Sequence, residues 1–470
     1  MQRYQVVTDN DIEEIHETSL KIMDEIGIVF TSDIARDILA KGGAKIDGQR
    51  VRFPRAMVEK ALSTVPNNFK LHGRTESSHR DFTTQKTNYA GPYGSPFVRD
   101  LERGRHNGTM ADFIDLAKIC QMLPDIDIQS HIYCEAGDIP VDVRPLEMVM
   151  AAYKYNEKPL MGTVYGYEAA KECIELAAIP YGGIEAIKEK PIMASIPCTL
   201  TPLSYDDNMA GAIIAYAEYA QPQLVNALVI AGATTPVTIA GAIALQNAEI
   251  LAGIVLAQVV NPGCPIVYSA SGSSADMRTG NLAIGAPEDT VFSLVNGQLT
   301  KFYDIPCRIS GALSDGKCAD AQAGYESMMS LMSAQMAGGN FILHAAGILE
   351  AYNCVSYEKL IIDHEIIGMV KRINQGVEVD EETLAFDLTA EIGPQGTFID
   401  TDHTLENYRD EFFQPVISDR DAFENWKANG ELTAEERANK RWKQLLENYV
   451  QPELDPAVEK EMRAYIDSKH

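Results

Sequence analysis

The sequence is poor in positive charge, and this shortage narrows the possible functions. Forty Lys and Arg side chains stand against 67 Asp and Glu side chains, which gives a formal net charge of −27 at pH 7. Such an excess of negative charge repels phosphate backbones and anionic lipid headgroups. We therefore expect neither a nucleic-acid-binding protein nor one that binds a membrane surface.

Cysteine is sparse, and no two cysteines are close in sequence. The eight cysteines include no C-x-x-C pair, and most lie inside apolar runs, as small buried side chains do. Residues 1–19 also lack the basic and then apolar layout of a secretory signal peptide. These features together predict a cytoplasmic protein in a reducing compartment.

The sequence has no long apolar run free of polar residues. The most apolar window, residues 238–260, is interrupted by Gln246, Asn247, Glu249 and Gln258. A helix that crosses a membrane needs about 20 predominantly apolar residues. The window therefore predicts a buried helix of a water-soluble protein.

Strand-like apolar runs alternate with helical patterns along the middle of the chain. The eight runs are residues 88–94, 126–135, 160–166, 191–200, 223–230, 265–271, 306–312 and 340–347. This alternation predicts an α/β fold, a closed (β/α)₈ TIM barrel. An open doubly wound sheet is the alternative, but no Gly-rich dinucleotide motif follows its first strand.

The barrel is expected to carry a helical extension at each end. The predicted parts are residues 1–85 (N-terminal helical extension), 86–375 (barrel catalytic domain) and 376–470 (C-terminal helical extension). In the first part, Asp9 or Asn10 is expected to cap a helix that Gly27 ends. A second helix is expected between Pro54 and Pro66.

The predicted strand ends carry tyrosines, hydroxyls and amides rather than paired carboxylates or clustered histidines. Active sites of TIM barrels lie at these ends. Tyr93, Tyr165 and Tyr268 are candidates for an aromatic box around a quaternary ammonium group, which has no N–H to donate. Ordinary packing is the simpler explanation for any one of them. His344 lies in an apolar run, either within the core or facing the barrel mouth.

His131, Cys134 and Glu135 lie close in sequence and have side chains that could bind a metal ion. Neighbouring residues of a strand point to opposite faces, so the three are not expected to converge on one ion. We therefore predict no metal site.

The polar segment "GALSDGKCADAQAGYE", residues 311–326, allows two interpretations. Lys317 is a candidate for a Schiff-base lysine if it is desolvated. The other polar side chains are expected to shape the loop, with Asp315 or Asp320 capping the next helix. The loop-shaping set is Ser314, Asp315, Asp320, Gln322 and Glu326.

Four long segments resemble the trimethylamine methyltransferase family. They are residues 231–253, 268–288, 308–327 and 393–415. The resemblance implies a (β/α)₈ barrel that moves a methyl group from an amine to the Co(I) of a separate corrinoid protein. Since the sequence contains no D-x-H-x-x-G corrinoid motif, we expect the corrinoid to arrive on that partner. The chain itself is expected to bind no cofactor tightly.

One position departs from the archaeal trimethylamine enzymes, which carry pyrrolysine before a Ser-Asp pair. Leu313 stands there, ahead of Ser314 and Asp315. Members without pyrrolysine resemble demethylases of betaines such as glycine betaine, proline betaine or carnitine. His344 is then expected to meet the carboxylate and Leu313 to close an apolar floor. The predicted substrate-binding set is Tyr93, Glu135, Tyr165, Tyr268, Leu313 and His344.

Two other functions stay open from the sequence. One is an aldolase-type barrel enzyme that uses Lys317, and the other is a betaine-binding protein without catalysis. A homo-oligomer is also expected, because the apolar helices at 238–260 and 320–338 offer surface for an interface. The sequence does not set the size of the pocket and so does not name the betaine.

Overall fold

Eight parallel strands, each followed by a helix, form the centre of the protein in the computed structural model, which describes residues 4–469. The strands are β1 (Asn88–Tyr89), β2 (Gln129–Ser130), β3 (Leu160–Met161), β4 (Met193–Ala194), β5 (Gln223–Ala231), β6 (Ile266–Ala275), β7 (Cys307–Ser310) and β8 (Phe341–Leu343). The helices are α1 (Met110–Met122), α2 (Arg144–Tyr155), α3 (Tyr167–Ala178), α4 (Asp207–Glu218), α5 (Ile239–Val260), α6 (Pro287–Tyr303), α7 (Ala321–Ala337) and α8 (Tyr357–Gln375).

Hydrogen bonds between neighbouring strands close the barrel. One ladder runs β5-β6-β7-β8-β1 and another runs β2-β3-β4. The parallel bridges Ala90↔Ile128 and Ser195↔Gln223 join the two ladders into a ring. The predicted (β/α)₈ TIM barrel is therefore confirmed.

A hairpin closes the amino-terminal end of the barrel. Its strands, Asn68–Leu71 and Arg80–Thr83, pair antiparallel. Phe82 is fully buried, and its ring lies 5.4 Å from that of Phe341 on β8. Phe82 also joins the apolar layer that fills the barrel, formed by residues such as Met161 and Leu224. Because this end is filled, the barrel offers space only at the carboxyl ends of its strands.

The N-terminal part contains helices as predicted, together with strands that were not predicted. Its helices are Asp9–Lys21, continued by a π-helical turn Ile22–Ile26, then Asp33–Lys41 and Arg55–Thr64. The N-cap is Thr8 rather than Asp9 or Asn10, and Gly27 ends the turn at φ +81°. Strands Ile28–Phe30, Lys45–Asp47 and Arg50–Arg52 form a sheet with Ser204–Tyr205 of the barrel.

The remaining elements lie in the connections of the barrel and in the C-terminal part. The loops after β1, β6 and β8 contain the short strands Phe97–Asp100, Gly104–Asn107, Leu282–Ala283, Ile348–Leu349 and Cys354–Ser356. Short helices lie in the hairpin (Glu76–Ser78) and between α3 and β4 (Ile179–Tyr181 and Ile184–Ile187). The C-terminal helices are Phe386–Ile392, Asp402–Glu411, Phe423–Ala428, Ala434–Glu447 and Pro456–Lys469. Helix 434–447 packs on α8 and α1, and helix 456–469 packs on α2.

The apolar window of the sequence forms α5. Within residues 4–469, α5 is the one helix long and apolar enough to cross a membrane, and most of it is buried. It packs against β5, α4 and the N-terminal helices 9–21 and 55–64. The helix is thus covered by protein, as the polar interruptions predicted.

Glu358 fastens the C-terminal helix 434–447 to the barrel. The carboxylate is fully buried, and its Oε1 accepts hydrogen bonds from Leu101 N (3.2 Å), Asn439 Nδ2 (2.9 Å) and Trp442 Nε1 (3.0 Å). The Trp442 ring also packs against Tyr357, with 4.8 Å between ring centroids. One buried carboxylate therefore connects three segments that are far apart in sequence.

We expect Glu358→Ala to lower the free energy of unfolding by about 3 kcal/mol, because buried donors lose a charged acceptor. Chemical denaturation followed by tryptophan fluorescence measures this change. Glu461→Ala, which removes an exposed carboxylate of the last helix, is the matched control. Equal effects of the two substitutions would contradict the structural role of Glu358.

Candidate active site

A cavity of about 500 Å³ lies at the carboxyl ends of the barrel strands. This volume is within the usual range for small-molecule sites, and this end of a TIM barrel is where active sites are found. The lining residues are Tyr93, Val164, Ile196, Cys198, Thr199, Leu200, Thr201, Met209, Asn226, Leu228, Thr234, Ser271, Arg308, His344 and Tyr352. They come from seven of the eight strands or the loops that follow them.

Arg308 on β7 is the cation of this cavity, and its side chain is 1% exposed. Its Nη1 donates to Ser271 Oγ and, at 3.5 Å, to the carbonyl of Ala270, which are both neutral acceptors. Among the residues described, no acceptor meets its Nε and no carboxylate forms an ion pair with it. Burial lowers the pKa of Arg308, but a guanidinium remains charged in proteins. A buried, unpaired cation is costly unless an anion completes the site.

A chain of polar side chains orients Arg308 from the neighbouring strands. Asn226 Oδ1 on β5 accepts from Ser269 Oγ at 2.9 Å and from Ser271 Oγ at 3.3 Å. Asn226 Nδ2 donates to Cys198 Sγ at 3.2 Å. The Ser271 hydroxyl is thus held by Asn226 while its oxygen accepts from Arg308.

His344 follows β8 and faces the cavity. Its backbone has φ +57°, a left-handed conformation that reverses the chain at the strand end. Its ring lies 5.0 Å from that of Tyr352, and no hydrogen-bond partner of its Nδ1 is found in residues 4–469. Burial and the charge of Arg308 hold the pKa of His344 well below its usual value of 6.5. The imidazole is therefore neutral and free to donate or accept a hydrogen bond.

Two tyrosines bring aromatic surface to the cavity. The Tyr93 hydroxyl donates to the carbonyl of Gly162 at 3.1 Å, which fixes the ring beside the cavity. Burial raises the pKa of Tyr93 well above 10.0 and that of Tyr352 to about 12. Both hydroxyls stay protonated at neutral pH, so the aromatic walls are uncharged.

Glu249 on α5 holds the loop that follows β4. The carboxylate is fully buried and accepts from the hydroxyls of Thr199 and Thr201, both at 2.8 Å, and from the amide of Leu203. Burial raises the pKa of Glu249, whereas these hydrogen bonds lower it. The cavity wall formed by residues 199–201 is therefore anchored from behind.

The cavity brings together Tyr93 and His344 of the predicted set, and it leaves the other members outside. Tyr165 is 52% exposed and donates to Glu135 Oε1 at 2.8 Å, beside the mouth. Glu135 also pairs with Arg144 at 3.4 Å. The prediction for Tyr268 does not fit the structure, because its fully buried side chain donates to Asn247 on α5 at 3.0 Å, outside the barrel.

Leu313 does not reach the cavity either. It is fully buried in a small apolar cluster with Ile284 and Ile348, against which Tyr352 packs. Leu313 therefore does not form the predicted floor, and the ring of Tyr352, which packs on the Leu313 cluster, lines the cavity instead.

The polar side chains of the β7 loop bond to one another and to the backbone. Glu326 accepts hydrogen bonds from Ser314 Oγ at 2.6 Å and from Gln322 Nε2 at 2.8 Å. Asp315 accepts from the amides of Ile284 (3.2 Å) and Gly285 (3.0 Å). Asp320 accepts from the amides of Gln322 (2.9 Å) and Ala323 (3.3 Å). Asp320 is the N-cap of α7. These are the contacts of side chains that shape a loop.

The residues that the sequence suggested for a Schiff base or a metal site do not line the cavity. Lys317 is exposed and donates to the carbonyl of Asp315, so it lacks the desolvation that a Schiff-base lysine needs. His131 packs against the Tyr93 ring at 5.6 Å, and Cys134 Sγ donates to the carbonyl of Thr109. His131, Cys134 and Glu135 thus have separate partners.

Sequence reasoning missed Arg308, Asn226, Tyr352 and Glu249. Arg308 had a detectable signal, because a lone arginine inside the apolar run "PCRISGA" is unusual for a barrel strand. Its neighbours in the run are small or apolar, so they offer no counter-charge. Glu249 similarly interrupts an apolar helix.

Asp289, in the first turn of α6, is a buried carboxyl near Arg308. Its side chain is 2% exposed, and its Oδ2 has no hydrogen-bond partner within residues 4–469. Burial raises its pKa from 3.8 to about 8, against the opposing charge of Arg308. The carboxyl is thus protonated at neutral pH and leaves Arg308 unpaired.

This shift predicts how Asp289→Asn changes stability with pH. Asp289 holds its proton in the folded state up to a pKa of about 8, whereas the unfolded chain releases it near 3.8. The wild type therefore loses stability as the pH rises through this window, and the Asn variant does not. We expect the stability gained by Asp289→Asn to be larger at about pH 8 than at about pH 5.5. Thermal unfolding at both pH values measures it, and an equal gain at both would contradict a buried protonated carboxyl.

Comparison with known proteins agrees with the four segments that carry the resemblance. The whole chain, residues 1–470, matches the model of the trimethylamine methyltransferase family. It is 42% identical over 464 residues to the glycine betaine methyltransferase of Desulfitobacterium hafniense strain Y51, which covers 99% of this chain and 97% of the relative. It is 30% identical over 478 residues to the proline betaine:corrinoid methyltransferase of Eubacterium limosum, covering 98% and 96%.

Among solved structures, the monomethylamine methyltransferase of Methanosarcina barkeri matches with a TM-score of 0.49 and 12% identity, over 96% of each chain. The family match over the full length of the chain confirms the resemblance predicted from the sequence. This protein belongs to the trimethylamine methyltransferase family.

Proposed function

We propose that this protein demethylates a betaine and passes the methyl group to the Co(I) of a separate corrinoid protein. The observation that carries the proposal is Arg308, a buried guanidinium that faces the cavity without a carboxylate partner. A betaine brings a carboxylate, which a guanidinium binds through two parallel hydrogen bonds. Its quaternary ammonium end has no N–H and is attracted to aromatic faces such as those of Tyr93 and Tyr352.

The same residue separates a betaine from trimethylamine. Trimethylamine has no anionic group, so it would leave the buried charge of Arg308 unpaired. Leu313, at the position of pyrrolysine in the archaeal enzymes, is packed among aliphatic side chains. The two relatives named for glycine betaine and for proline betaine support a betaine substrate. Glycine betaine is the first candidate, because the relative named for it is 42% identical.

The proposed methyl transfer depends on the orientation of the substrate and does not require a general acid. The C–N bond breaks with its electron pair on nitrogen while the methyl carbon bonds to cobalt, so the amine leaves neutral and no general acid is required. The lowered pKa of His344 and the raised pKa of Tyr93 keep the walls uncharged around the substrate. The contribution of the protein is then orientation of the methyl group and exclusion of water.

The remaining partners follow from this chemistry. We propose that the corrinoid arrives on its own protein and that this chain holds no cofactor of its own. We also propose a cytoplasmic location, since the sequence has no C-x-x-C pair and most of its cysteines lie inside apolar runs. Formation of a homo-oligomer stays a prediction.

The function is tested by mixing the purified protein with reduced Co(I) cobalamin and one candidate at a time. The candidates are glycine betaine, proline betaine, carnitine and trimethylamine. We expect methyl-Co(III) to form with a betaine and not with trimethylamine, because only a betaine neutralises Arg308. The visible spectrum of the corrinoid reports the methylation. Binding of a betaine without any methylation would instead favour a binding protein.

The role of Arg308 is tested by Arg308→Met. We expect the KM for the betaine to rise about 100-fold, because a charged, buried pair of hydrogen bonds is lost. The fold is expected to survive, since the substitution removes a buried charge that has no ionic partner. Initial rates across betaine concentrations measure the KM.

Arg105→Met is the matched control, because Arg105 is partly exposed and pairs with Glu350 outside the cavity at 3.0 Å. We expect its KM to equal that of the wild type. An unchanged KM in Arg308→Met would show that another donor, such as His344, binds the carboxylate.

A further inference from the structure

Five consecutive loops at the carboxyl end of the barrel each expose one large apolar side chain. They are Val141, Tyr165, Leu200, Val237 and Met277, in the loops after β2, β3, β4, β5 and β6, with exposed fractions of 52% to 78%. We call these five residues the apolar rim. Single exposed apolar side chains are ordinary, but a group of them around one opening marks an interaction surface.

The apolar rim lies on the side where the cavity opens. Val164, Leu200 and Thr234 line the cavity, and they belong to the loops after β3, β4 and β5. Leu200 is itself 53% exposed, so it belongs to both the cavity wall and the outer surface. A ligand in the cavity is therefore approached from outside across the rim.

Neighbouring loops of the apolar rim meet at two places. Tyr165 in the β3 loop donates to Glu135 in the β2 loop at 2.8 Å. A methyl group placed on Gly232 would lie 3.5 Å from Val237 Cγ2 and 3.7 Å from Met277 Sδ, so the β5 and β6 tips meet at this glycine. Tyr165 is thus held against the β2 loop, and Val237 and Met277 lie beside the same glycine.

The other half of the mouth is polar. The loops after β7 and β8 present Asp315, Lys317 and Glu350 around a hollow of about 490 Å³. Glu350 is also paired with Arg105 at 3.0 Å. Among the described residues, the loops after β7 and β8 expose no large apolar side chain, whereas each loop from β2 to β6 exposes one.

We propose that the apolar rim is the surface on which the corrinoid-bearing partner protein docks. This inference rests on the proposed function, in which the methyl acceptor is carried by another protein. The opposite end of the barrel is filled by the hairpin of residues 68–83, so the acceptor reaches the methyl group only through the mouth. A second copy of this chain seated on the rim would block that approach.

Docking on the apolar rim has a physical advantage for the transfer. A partner that covers Leu200 and its neighbours removes water from the opening while it brings the corrin to the substrate. Because the polar half of the mouth has no matching apolar surface, we expect the partner to sit off centre, over the loops after β2 to β6.

The test uses Val237→Asp and Met277→Asp, separately and combined, because neither side chain lines the cavity. A cobalamin-loaded corrinoid protein that the wild type methylates is the first acceptor, and free Co(I) cobalamin is the second. We expect the KM for the corrinoid protein to rise by roughly tenfold or more in the combined variant, since a carboxylate would be buried in the interface. Methylation of free cobalamin from glycine betaine is expected to stay at the wild-type rate.

Val450→Asp is the matched control. Val450 is 77% exposed and follows Tyr449, whose hydroxyl donates to the carbonyl of Tyr155 at the end of α2, opposite the mouth. We expect this variant to behave as the wild type with both acceptors.

The outcomes separate the docking surface from the proposed function. An unchanged KM for the corrinoid protein in the combined variant would overturn the docking surface, and so would an equal loss with free cobalamin. An equal rise of the KM in Val450→Asp would also overturn the docking surface, because a carboxylate added anywhere on the protein surface would then have the same effect. A wild type that methylates neither acceptor would overturn the proposed function itself.

Discussion

The unpaired guanidinium of Arg308 is the constraint on which the arrangement of the cavity depends. An ionised group that is buried without a counter-ion depends on the dipoles that surround it. Ser271 and the carbonyl of Ala270 supply the dipoles, and Asn226 fixes Ser271. Asp289 keeps its proton, since burial raises its pKa to about 8. The site therefore keeps a single formal charge for a substrate that brings a carboxylate.

Buried carboxylates hold the loops around this charge without entering the cavity. Glu249 accepts from Thr199 and Thr201 behind the β4 loop. Glu326 accepts from Ser314 and from the amide of Asp315 in the β7 loop. The polar residues that stand out most in the sequence thus fix loop geometry, whereas the reacting surface is made of neutral rings, hydroxyls and one guanidinium. The residues of the proposed site are thus the ones that these anchors position.

The barrel was predictable because its strands are apolar runs separated by helical periods, a pattern that survives in a single sequence. The N-terminal sheet was not, because strands such as Lys45–Asp47 have three exposed residues and no apolar alternation. Tyr93 and His344 were found by their position at strand ends. Tyr268 does not face the cavity, because side chains alternate between the two faces of a strand. Val267 and Ser269 face the barrel interior, so Tyr268 faces α5. The same alternation applied to β7 would have placed Arg308 inside.

The distribution of charge also explains how such a site releases its product. Demethylation leaves the carboxylate in place and removes the fixed positive charge on nitrogen. In the proposed site, the attraction of the carboxylate to Arg308 is then unchanged, while the attraction of the ammonium cation to the rings of Tyr93 and Tyr352 is lost. In the proposed site, the aromatic walls rather than the guanidinium therefore distinguish the methylated substrate from its product.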